Sequence, residues 1–257
     1  MKKTVKKWTP DREKMKDLPF IHFLGVKNDF VSNVDRKAEE EIIYHIRKAH
    51  PDHAIKGEEG GVLEGTNPDY EWVIDPLDGT TNFLRGIPHY AISIACKHKG
   101  KLEHALIYDP IREETFSASR GRGAQLNGKR IRVTKRKDLD GAVIGTGIPF
   151  RSHQQGHLPA YTQSLEAVAE KTAGIRRAGS AALDLAYVAA GRLDGFWEIG
   201  LQEWDIAAGV LLVQEAGGLV GDFKGGNGFM QSGNIVAGNP KCFKALIQTI
   251  NPHLGGV

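Results

Sequence analysis

The chain has 257 residues, of which 40% are hydrophobic, enough to bury a large core in one domain or in two closely packed halves. Its 34 basic and 31 acidic residues are interspersed over most of the length, so the net charge of +3 does not indicate a nucleic-acid partner. The only two cysteines, Cys96 and Cys242, exclude a disulfide framework and a C-x-x-C zinc site, and we interpret both as small hydrophobic residues.

The first sixteen residues form a basic arm, in which seven lysines and arginines face only Asp11 and Glu13. We interpret this arm as a solvated terminus and set residues 1–28 apart as an atypical basic segment. The apolar stretch of residues 18–24 is interrupted by Pro19 and His22 and is too short for a signal peptide core or a membrane span. We therefore expect a cytoplasmic protein without a membrane segment.

The next part of the chain predicts one helix and then several strands. Residues 35–49 carry apolar side chains at helical spacing, with acids early, bases late and Pro51 as a stop. The runs that predict strands are residues 71–74, 91–96, 102–108 and 115–118. Short turns between these runs favour antiparallel pairing.

The second part of the chain alternates strands and helices. Strands are predicted at residues 142–146, 193–199 and 235–237, and helices at residues 158–171, 180–190, 204–216 and 241–250. Ser180 is the expected N-cap of its helix, and Gly191 the expected stop. The pattern predicts a layered α/β or α+β structure in two halves, residues 29–140 and 141–257.

Two aspartates lie where a strand gives way to a helix. Asp75 ends an apolar strand that Pro76 should interrupt, and Asp78 precedes a Gly79-Thr80-Thr81 helix start whose free amides suit a phosphate. Taken alone, Asp75 would more often be a turn residue and Asp78 an N-cap.

Further acids change that interpretation. Glu58 lies in a glycine-rich bend and Asp205 begins an apolar helix; in isolation these positions would be a solvated loop and another N-cap. If the four carboxylates gather, each pair 4 Å apart costs about 4 kcal/mol at an effective dielectric of 20, so the cluster requires cations. All-oxygen ligation favours Mg²⁺, with Mn²⁺ as a substitute, and metal-assisted phosphoryl transfer to water.

The segments around these acids, residues 57–59, 72–82 and 204–209, resemble the three signature motifs of the inositol monophosphatases. Residues 177–191 are especially similar to bacterial inositol-1-monophosphatases of the SuhB type. The resemblance extends from residue 29 to the C-terminal helix. It implies an αβαβα sandwich, a homodimer, and two or three Mg²⁺ ions at the junction of the halves.

The resemblance also implies roles for individual residues. Glu58, Asp75 and the Leu77 carbonyl would hold one ion, Asp75, Asp78 and Asp205 a second, and Glu58 would also touch a third. Asp35, Glu58 and Thr80 would be catalytic, with Thr80 and Asp35 orienting the attacking water. The substrate would contact Glu58, Leu77, Asp78, Gly79, Thr80, Gly179, Ser180, Ala181, Glu198 and Asp205.

Without the resemblance, simpler interpretations hold for several of these positions. Asp35 and Ser180 would be helix caps, and Glu198 a surface strand residue. His89 receives no role, because no second histidine lies at metal-ligand spacing. One departure is the N-terminus: the family has a long helix rich in small residues there, and Lys27 is the only counterpart of a family lysine, at altered spacing.

The predicted activity is therefore Mg²⁺-dependent hydrolysis of a phosphate monoester, best matched by myo-inositol 1-phosphate, without a phosphoenzyme and with inhibition by Li⁺. A second interpretation keeps this chemistry but makes the enzyme a fructose-1,6-bisphosphatase or a nucleotide or sugar phosphatase. A third is a regulatory protein that binds RNA or a protein partner on the same fold.

Overall fold

The computed structural model describes residues 21–23 and 30–257, so the whole basic arm and Lys27 lie outside the described residues. The strands β1 (Ile21–Phe23) and β2 (Phe30–Ser32) pair antiparallel and lead into helix α1 (Asn33–Ala49). The strands that follow are β3 (His53–Gly57), β4 (Gly61–Leu63), β5 (Asn67–Asp78), β6 (Ala91–His98), β7 (Lys101–Asp109), β8 (Glu114–Ser119), β9 (Gly123–Leu126) and β10 (Lys129–Arg130). A short helix, α2 (Thr80–Leu84), follows β5.

The remaining elements alternate. They are β11 (Val143–Thr146), a 3₁₀ helix (Ser152–His157), α3 (Leu158–Ala169), β12 (Gly174–Arg176), α4 (Ala181–Ala189), β13 (Gly195–Glu198), α5 (Glu203–Glu215), β14 (Leu219–Gly221), α6 (Phe229–Ser232), β15 (Ile235–Gly238) and α7 (Pro240–Leu254). Across the described residues, the larger sheet has the order β10-β9-β8-β7-β6-β5-β3-β4 and the smaller one β12-β11-β13-β15-β14. The hairpins from β5 to β9 are antiparallel, as predicted.

These elements stack in five layers. Helix α1 covers the outer face of the larger sheet, and the pair α4 and α5 fills the space between the two sheets. Helices α3 and α7 cover the outer face of the smaller sheet. The predicted αβαβα architecture is confirmed.

The alternation of side chains along the central strands explains the layering. On β6, Ile92, Ile94 and Cys96 point into the core beneath α1, whereas Ala91 and Ala95 point toward α5. Small residues on the inner face let α5, which is apolar on all sides, pack closely on the strand. Both faces of β6 are therefore buried.

The helix pair between the sheets also depends on a small residue. A Cβ atom at Gly209 of α5 would lie 2.5 Å from Cβ of Leu185 on α4, so an alanine there would force the helices apart. This close approach matters because α4 and α5 each deliver a residue to the cavity described below.

Most predicted elements are present, with shifted ends. The predicted Ser180 cap is confirmed, since its hydroxyl accepts the N–H of Leu183. The chain leaves the larger sheet at Arg130 and enters the smaller one at Val143; the division into two halves stays a prediction. Both cysteines are buried, as interpreted. None of the helices among the described residues is long and apolar enough to cross a membrane.

Candidate metal centre and substrate cavity

A β-bulge on β5 places two aspartates on one face of the sheet. Asp75 pairs with Ser93 and Asp78 with Ala91, so three steps on β5 match two steps on β6. Residues three apart on a regular strand point to opposite faces, but the extra residue returns Asp78 to the face of Asp75. The expectation that Asp75 ends the strand is wrong: Pro76 lacks an N–H, and the ladder skips it within the bulge and resumes at Asp78.

Asp75 and Asp78 are each held by backbone amides. Oδ1 of Asp75 accepts the N–H of Leu77 at 2.9 Å, inside the bulge. Oδ2 of Asp78 accepts the Ser180 hydroxyl at 2.6 Å and the Ala182 N–H at 2.7 Å, at the start of α4. Asp78 therefore does not cap the helix that follows it, whose N-cap is Gly79. It binds instead the N-terminus of α4, a helix that lies about a hundred residues later in the chain.

Asp205 reaches the same place from α5. It is not the N-cap, since the helix begins at Glu203 and Gln202 precedes it. Oδ2 of Asp205 accepts the Gln202 N–H at 2.7 Å. Asp75, Asp78 and Asp205 each offer a carboxylate oxygen, and these three oxygens lie within 4.8 Å of one another.

Glu58 stands beside this triad. Its N–H donates to the carbonyl oxygen of Ile74 at 3.1 Å, which ties the bend after β3 to β5. Its carboxyl group lies close enough to that of Asp75 for the two to shift each other's pKa. Glu58 is not part of the group of oxygens within 4.8 Å, so its predicted role as a metal ligand stays a prediction.

The crowded acids raise one another's pKa values. Burial, followed by the Asp205 carboxylate, raises the pKa of Asp78 to about 7, although the hydrogen bonds from Ser180 and Ala182 act in the opposite direction. Burial is also the largest cause that raises the pKa of Asp75 and of Glu58 well above the ordinary range, and each is raised further by neighbouring carboxylates. A divalent cation would relieve this repulsion, and the all-oxygen donor set suits Mg²⁺ or Mn²⁺.

Gly79 forms the turn between the acids and α2. Its φ is +98°, and a Cβ atom would come within 3.1 Å of the carbonyl oxygens of Gly179 and His89. Asn82 fastens this turn, since its amide donates to the carbonyl oxygens of His89 and Ala178 at 2.8 Å each. The predicted phosphate-binding turn thus lies directly against the residues predicted to line the substrate hydroxyls.

Thr80 and Asp35 lie at the edge of the acidic cluster. The Thr80 hydroxyl is 3.0 Å from the carbonyl oxygen of Leu77 and 3.3 Å from Oδ1 of Asp35. Asp35 is 1% exposed in the first turn of α1, which begins at Asn33, so it is not the cap that a simpler interpretation would make it. The structure brings together the two residues that were predicted to orient the attacking water.

The predicted site residues other than Asp35 line one cavity of about 120 Å³, which Asp35 borders through Thr80. Within this cavity, burial, followed by the carboxylates of Asp205 and Asp78, raises the pKa of Glu198 to about 8. A Cβ atom at Gly147 would overlap the Glu198 carboxylate. The absence of a side chain at residue 147 therefore leaves the space that the Glu198 carboxylate occupies. Glu198 is therefore a cavity residue and not a surface strand residue.

Several cavity residues escaped sequence reasoning. Asp184 is 2% exposed on α4, and its pKa is raised well above the ordinary value by burial and then by Glu198. A signal was present, since it is the one acid in an otherwise apolar helix. Arg151, Gln154 and Arg177 also line the cavity. These three are common surface residue types in loops, and nothing in the sequence singles them out.

A family model described as the inositol monophosphatase family matches residues 13–254. The chain belongs to the inositol monophosphatase family. It is 64% identical to the Nus factor SuhB of Pseudomonas aeruginosa and 56% identical to that of Escherichia coli K12, each match covering 88% of this chain and 84% of the relative. The predicted membership of this family and the predicted similarity to its SuhB type are confirmed.

Solved structures of family members agree with the fold. The extragenic suppressor protein suhB of Bartonella henselae is 44% identical with a TM-score of 0.89, over 96% of this chain and 92% of that one. An inositol monophosphatase of Thermotoga maritima is 33% identical with a TM-score of 0.87, over 100% of this chain and 95% of that one. These similarities support the phosphatase class and leave the substrate open.

Proposed function

We propose that this chain hydrolyses a phosphate monoester of a polyol, with myo-inositol 1-phosphate as the preferred substrate, and that it requires Mg²⁺. The observation that carries the proposal is the convergence of Asp75, Asp78 and Asp205 in a cavity that Glu198 also lines. The three carboxylates suit cations, which in turn attract a phosphate, and the carboxyl oxygens of Glu198 suit hydroxyl donors.

Two or three cations would be held by the triad together with Glu58 and the carbonyl oxygen of Leu77. Bound Mg²⁺ would neutralise the phosphate, lower the pKa of a water molecule and stabilise the leaving oxygen. The backbone turn at Gly79 and Thr80 would hold the phosphate, because amides at a helix start have no partner within the helix.

Thr80 and Asp35 would place the attacking water. The Thr80 hydroxyl lies between the Leu77 carbonyl and the Asp35 carboxylate, and this leaves its lone pairs free to accept a hydrogen from water. Glu198 would accept hydrogen bonds from substrate hydroxyls and so hold the ester in line with that water. The water attacks phosphorus directly, and no residue of the chain is phosphorylated.

The test is phosphate release from myo-inositol 1-phosphate with Mg²⁺, using wild type, Asp78→Asn and, as a matched control, Asp140→Asn at an exposed position. Loss of several kcal/mol of charge stabilisation should slow Asp78→Asn by about a hundredfold or more, whereas Asp140→Asn keeps wild-type turnover. Equal activity of wild type and Asp78→Asn would refute the role assigned to Asp78. LiCl in the same assay should inhibit.

A substrate panel separates the polyol phosphate from fructose 1,6-bisphosphate and nucleotide phosphates. We expect the highest kcat/KM for myo-inositol 1-phosphate, because Glu198, Gly179 and Ala181 line the cavity and would contact the alcohol. A markedly higher value for a nucleotide would change the substrate but keep the reaction class.

A second proposal is a regulatory role through an RNA or protein partner, which is compatible with catalysis. It is favoured by the name Nus factor SuhB, which relatives 52% to 64% identical carry. The test measures RNA binding at several salt concentrations by wild type and Asp78→Asn. Salt-dependent binding that survives the substitution supports this role, and no binding at low salt counts against direct RNA contact.

Dimerisation stays a prediction, to be measured by sedimentation.

A further inference from the structure

Glu39 is a buried acid that neither the predicted mechanism nor the cavity uses. It lies on α1, one helical turn after Asp35 and on the same face, and is 3% exposed. Among the described residues no lysine, arginine or histidine forms an ion pair with it. A carboxylate buried without a cationic partner is costly, so its local contacts must compensate.

Those contacts are amides of the bend that contains Glu58. Oε2 of Glu39 accepts the N–H of Glu59 at 3.0 Å, and Oε1 accepts the N–H of Gly60 at 2.6 Å. Burial raises the pKa of Glu39, and these amides act in the opposite direction. Two charge-assisted hydrogen bonds therefore hold the two residues that directly follow Glu58.

The bend has glycines where the carboxylate enters. A Cβ atom at Gly57 would overlap the Glu39 carboxylate, and one at Gly60 would lie 2.8 Å from Oε1. Neither glycine has a positive φ, so conformational freedom does not explain them. The glycines of this bend thus serve to admit the Glu39 side chain.

The bend is consequently clamped from two sides. On one side the Glu58 N–H donates to the carbonyl oxygen of Ile74, one residue before Asp75. On the other side Glu39 holds Glu59 and Gly60. With the backbone held on both sides, the Glu58 side chain starts from a fixed position on the wall of the cavity that Asp75 also lines, and the two carboxyl groups interact.

We propose that Glu39 is a positioning residue of the metal centre: its carboxylate fixes the bend of residues 57–60 and so orients Glu58 toward the cations. This inference rests on the proposed function only in requiring that Glu58 is a metal ligand. Glu39 touches neither the substrate nor the reacting atoms. It acts through Glu58.

The test is a double-mutant cycle read out by Mg²⁺ binding in isothermal titration calorimetry, without substrate. The variants are Glu39→Gln, Glu58→Gln and the double variant, with Glu40→Gln as the control at the neighbouring exposed position of the same helix. Glutamine has nearly the same shape as glutamate but no charge. Its NH₂ group would face one of the two backbone N–H donors, so one hydrogen bond is lost. It should weaken Mg²⁺ binding by about 10- to 100-fold, the usual effect of losing a residue that orients a ligand.

The double variant should bind Mg²⁺ no more weakly than Glu58→Gln alone, because Glu39 then has no ligand left to orient. Glu40→Gln should bind as wild type. If the losses of Glu39→Gln and Glu58→Gln multiply, or if Glu39→Gln only lowers Tm and binds Mg²⁺ normally, the inference is overturned.

Gly60→Ala provides an independent variant if Glu39→Gln does not fold. It keeps the acid but pushes a methyl group against Oε1 at an exposed position, and should also weaken Mg²⁺ binding. Wild-type Mg²⁺ affinity in a folded Gly60→Ala would contradict the inference. If Glu39→Gln and Glu58→Gln weaken Mg²⁺ binding non-additively but the wild-type protein has no phosphatase activity, the inference is supported and the proposed function is refuted. If the wild type is an active phosphatase but Glu39→Gln binds Mg²⁺ normally, the proposed function is supported and the inference is refuted.

Discussion

The acids of the cavity form two groups that are held in different ways, the metal triad of Asp75, Asp78 and Asp205 (the metal end) and the pair Glu198 and Asp184 (the distal end). At the metal end, Asp75, Asp78 and Asp205 each accept a backbone N–H, and each donor comes from a different element or turn. At the distal end, the side chains of Glu198 and Asp184 accept no hydrogen bond from any of the described residues. Both ends are buried and crowded with like charge.

The difference indicates which part of the reaction is built into the folded chain. The metal-end oxygens are oriented before any cation arrives, so binding spends little free energy on ordering them. The distal acids have acceptors that the described residues leave for water or a ligand. Reaction class should therefore depend on the metal end, and choice of alcohol on the distal end.

The largest expected effect is at the metal end. Asp205→Asn should lower kcat/KM about a hundredfold or more on every phosphate ester, since it removes charge that any phosphate substrate needs. The measurement is phosphate release from myo-inositol 1-phosphate and from p-nitrophenyl phosphate, which has no polyol. A loss confined to the inositol ester would erase the distinction between the two ends.

A smaller and more selective effect is expected for Glu198→Gln. It should raise KM for myo-inositol 1-phosphate about tenfold, the cost of weakening a hydrogen bond to a buried carboxyl acceptor. With p-nitrophenyl phosphate the kinetics should stay as in wild type, because that ester has no hydroxyl for Glu198 to accept. Equal losses on both substrates would show that Glu198 acts at the metal end.

Metal removal should reveal the repulsion among the acids. A carboxyl group whose folded pKa is raised stabilises the fold below its unfolded pKa, near 4, and loses that contribution as pH rises through the folded value. For Asp78 that value is about 7. In EDTA, Tm measured by calorimetry should therefore fall between pH 5 and pH 8, and Mg²⁺ should reduce the fall.

Two histidines oppose this trend and must be separated from it. Burial lowers the pKa of His53 and of His89, so their contribution to stability rises with pH. The comparison of Asp78→Asn with wild type isolates the acids, because both proteins keep these histidines. The fall in Tm with pH should be shallower in Asp78→Asn; an identical fall would contradict the electrostatic account.

The smallest effect is expected for Ser180→Ala. It removes the hydroxyl that caps α4 and donates to Asp78, and should lower the free energy of unfolding by about 1 kcal/mol. Mg²⁺ binding should weaken less than in Asp78→Asn, because the Ala182 amide still holds the carboxylate. Urea unfolding measures the first effect and calorimetry the second. Ser152→Ala, at an exposed position, is the control.

Sequence reasoning reached the fold class and most helices and strands because hydrophobic periodicity reports which face of an element is buried. It also singled out the acids that converge, through their glycine-rich and strand-end surroundings. It failed where the signal is a contact between distant segments. Glu39 lies on the buried face of α1 with residues 35, 42 and 46. Hydrophobic periodicity identifies that face but does not predict that an acid on it binds the backbone of another segment.

The pattern of residues 72–82 by itself determined that two carboxylates and a tight glycine turn follow a buried strand. Only the tertiary structure decided what they face. The bulge at Pro76 sets Asp75 and Asp78 on one side of the sheet, and helices from the second half of the chain supply Asp205 and the amides that hold Asp78. Such partners lie about a hundred residues away, and local propensity carries no record of contacts at that distance.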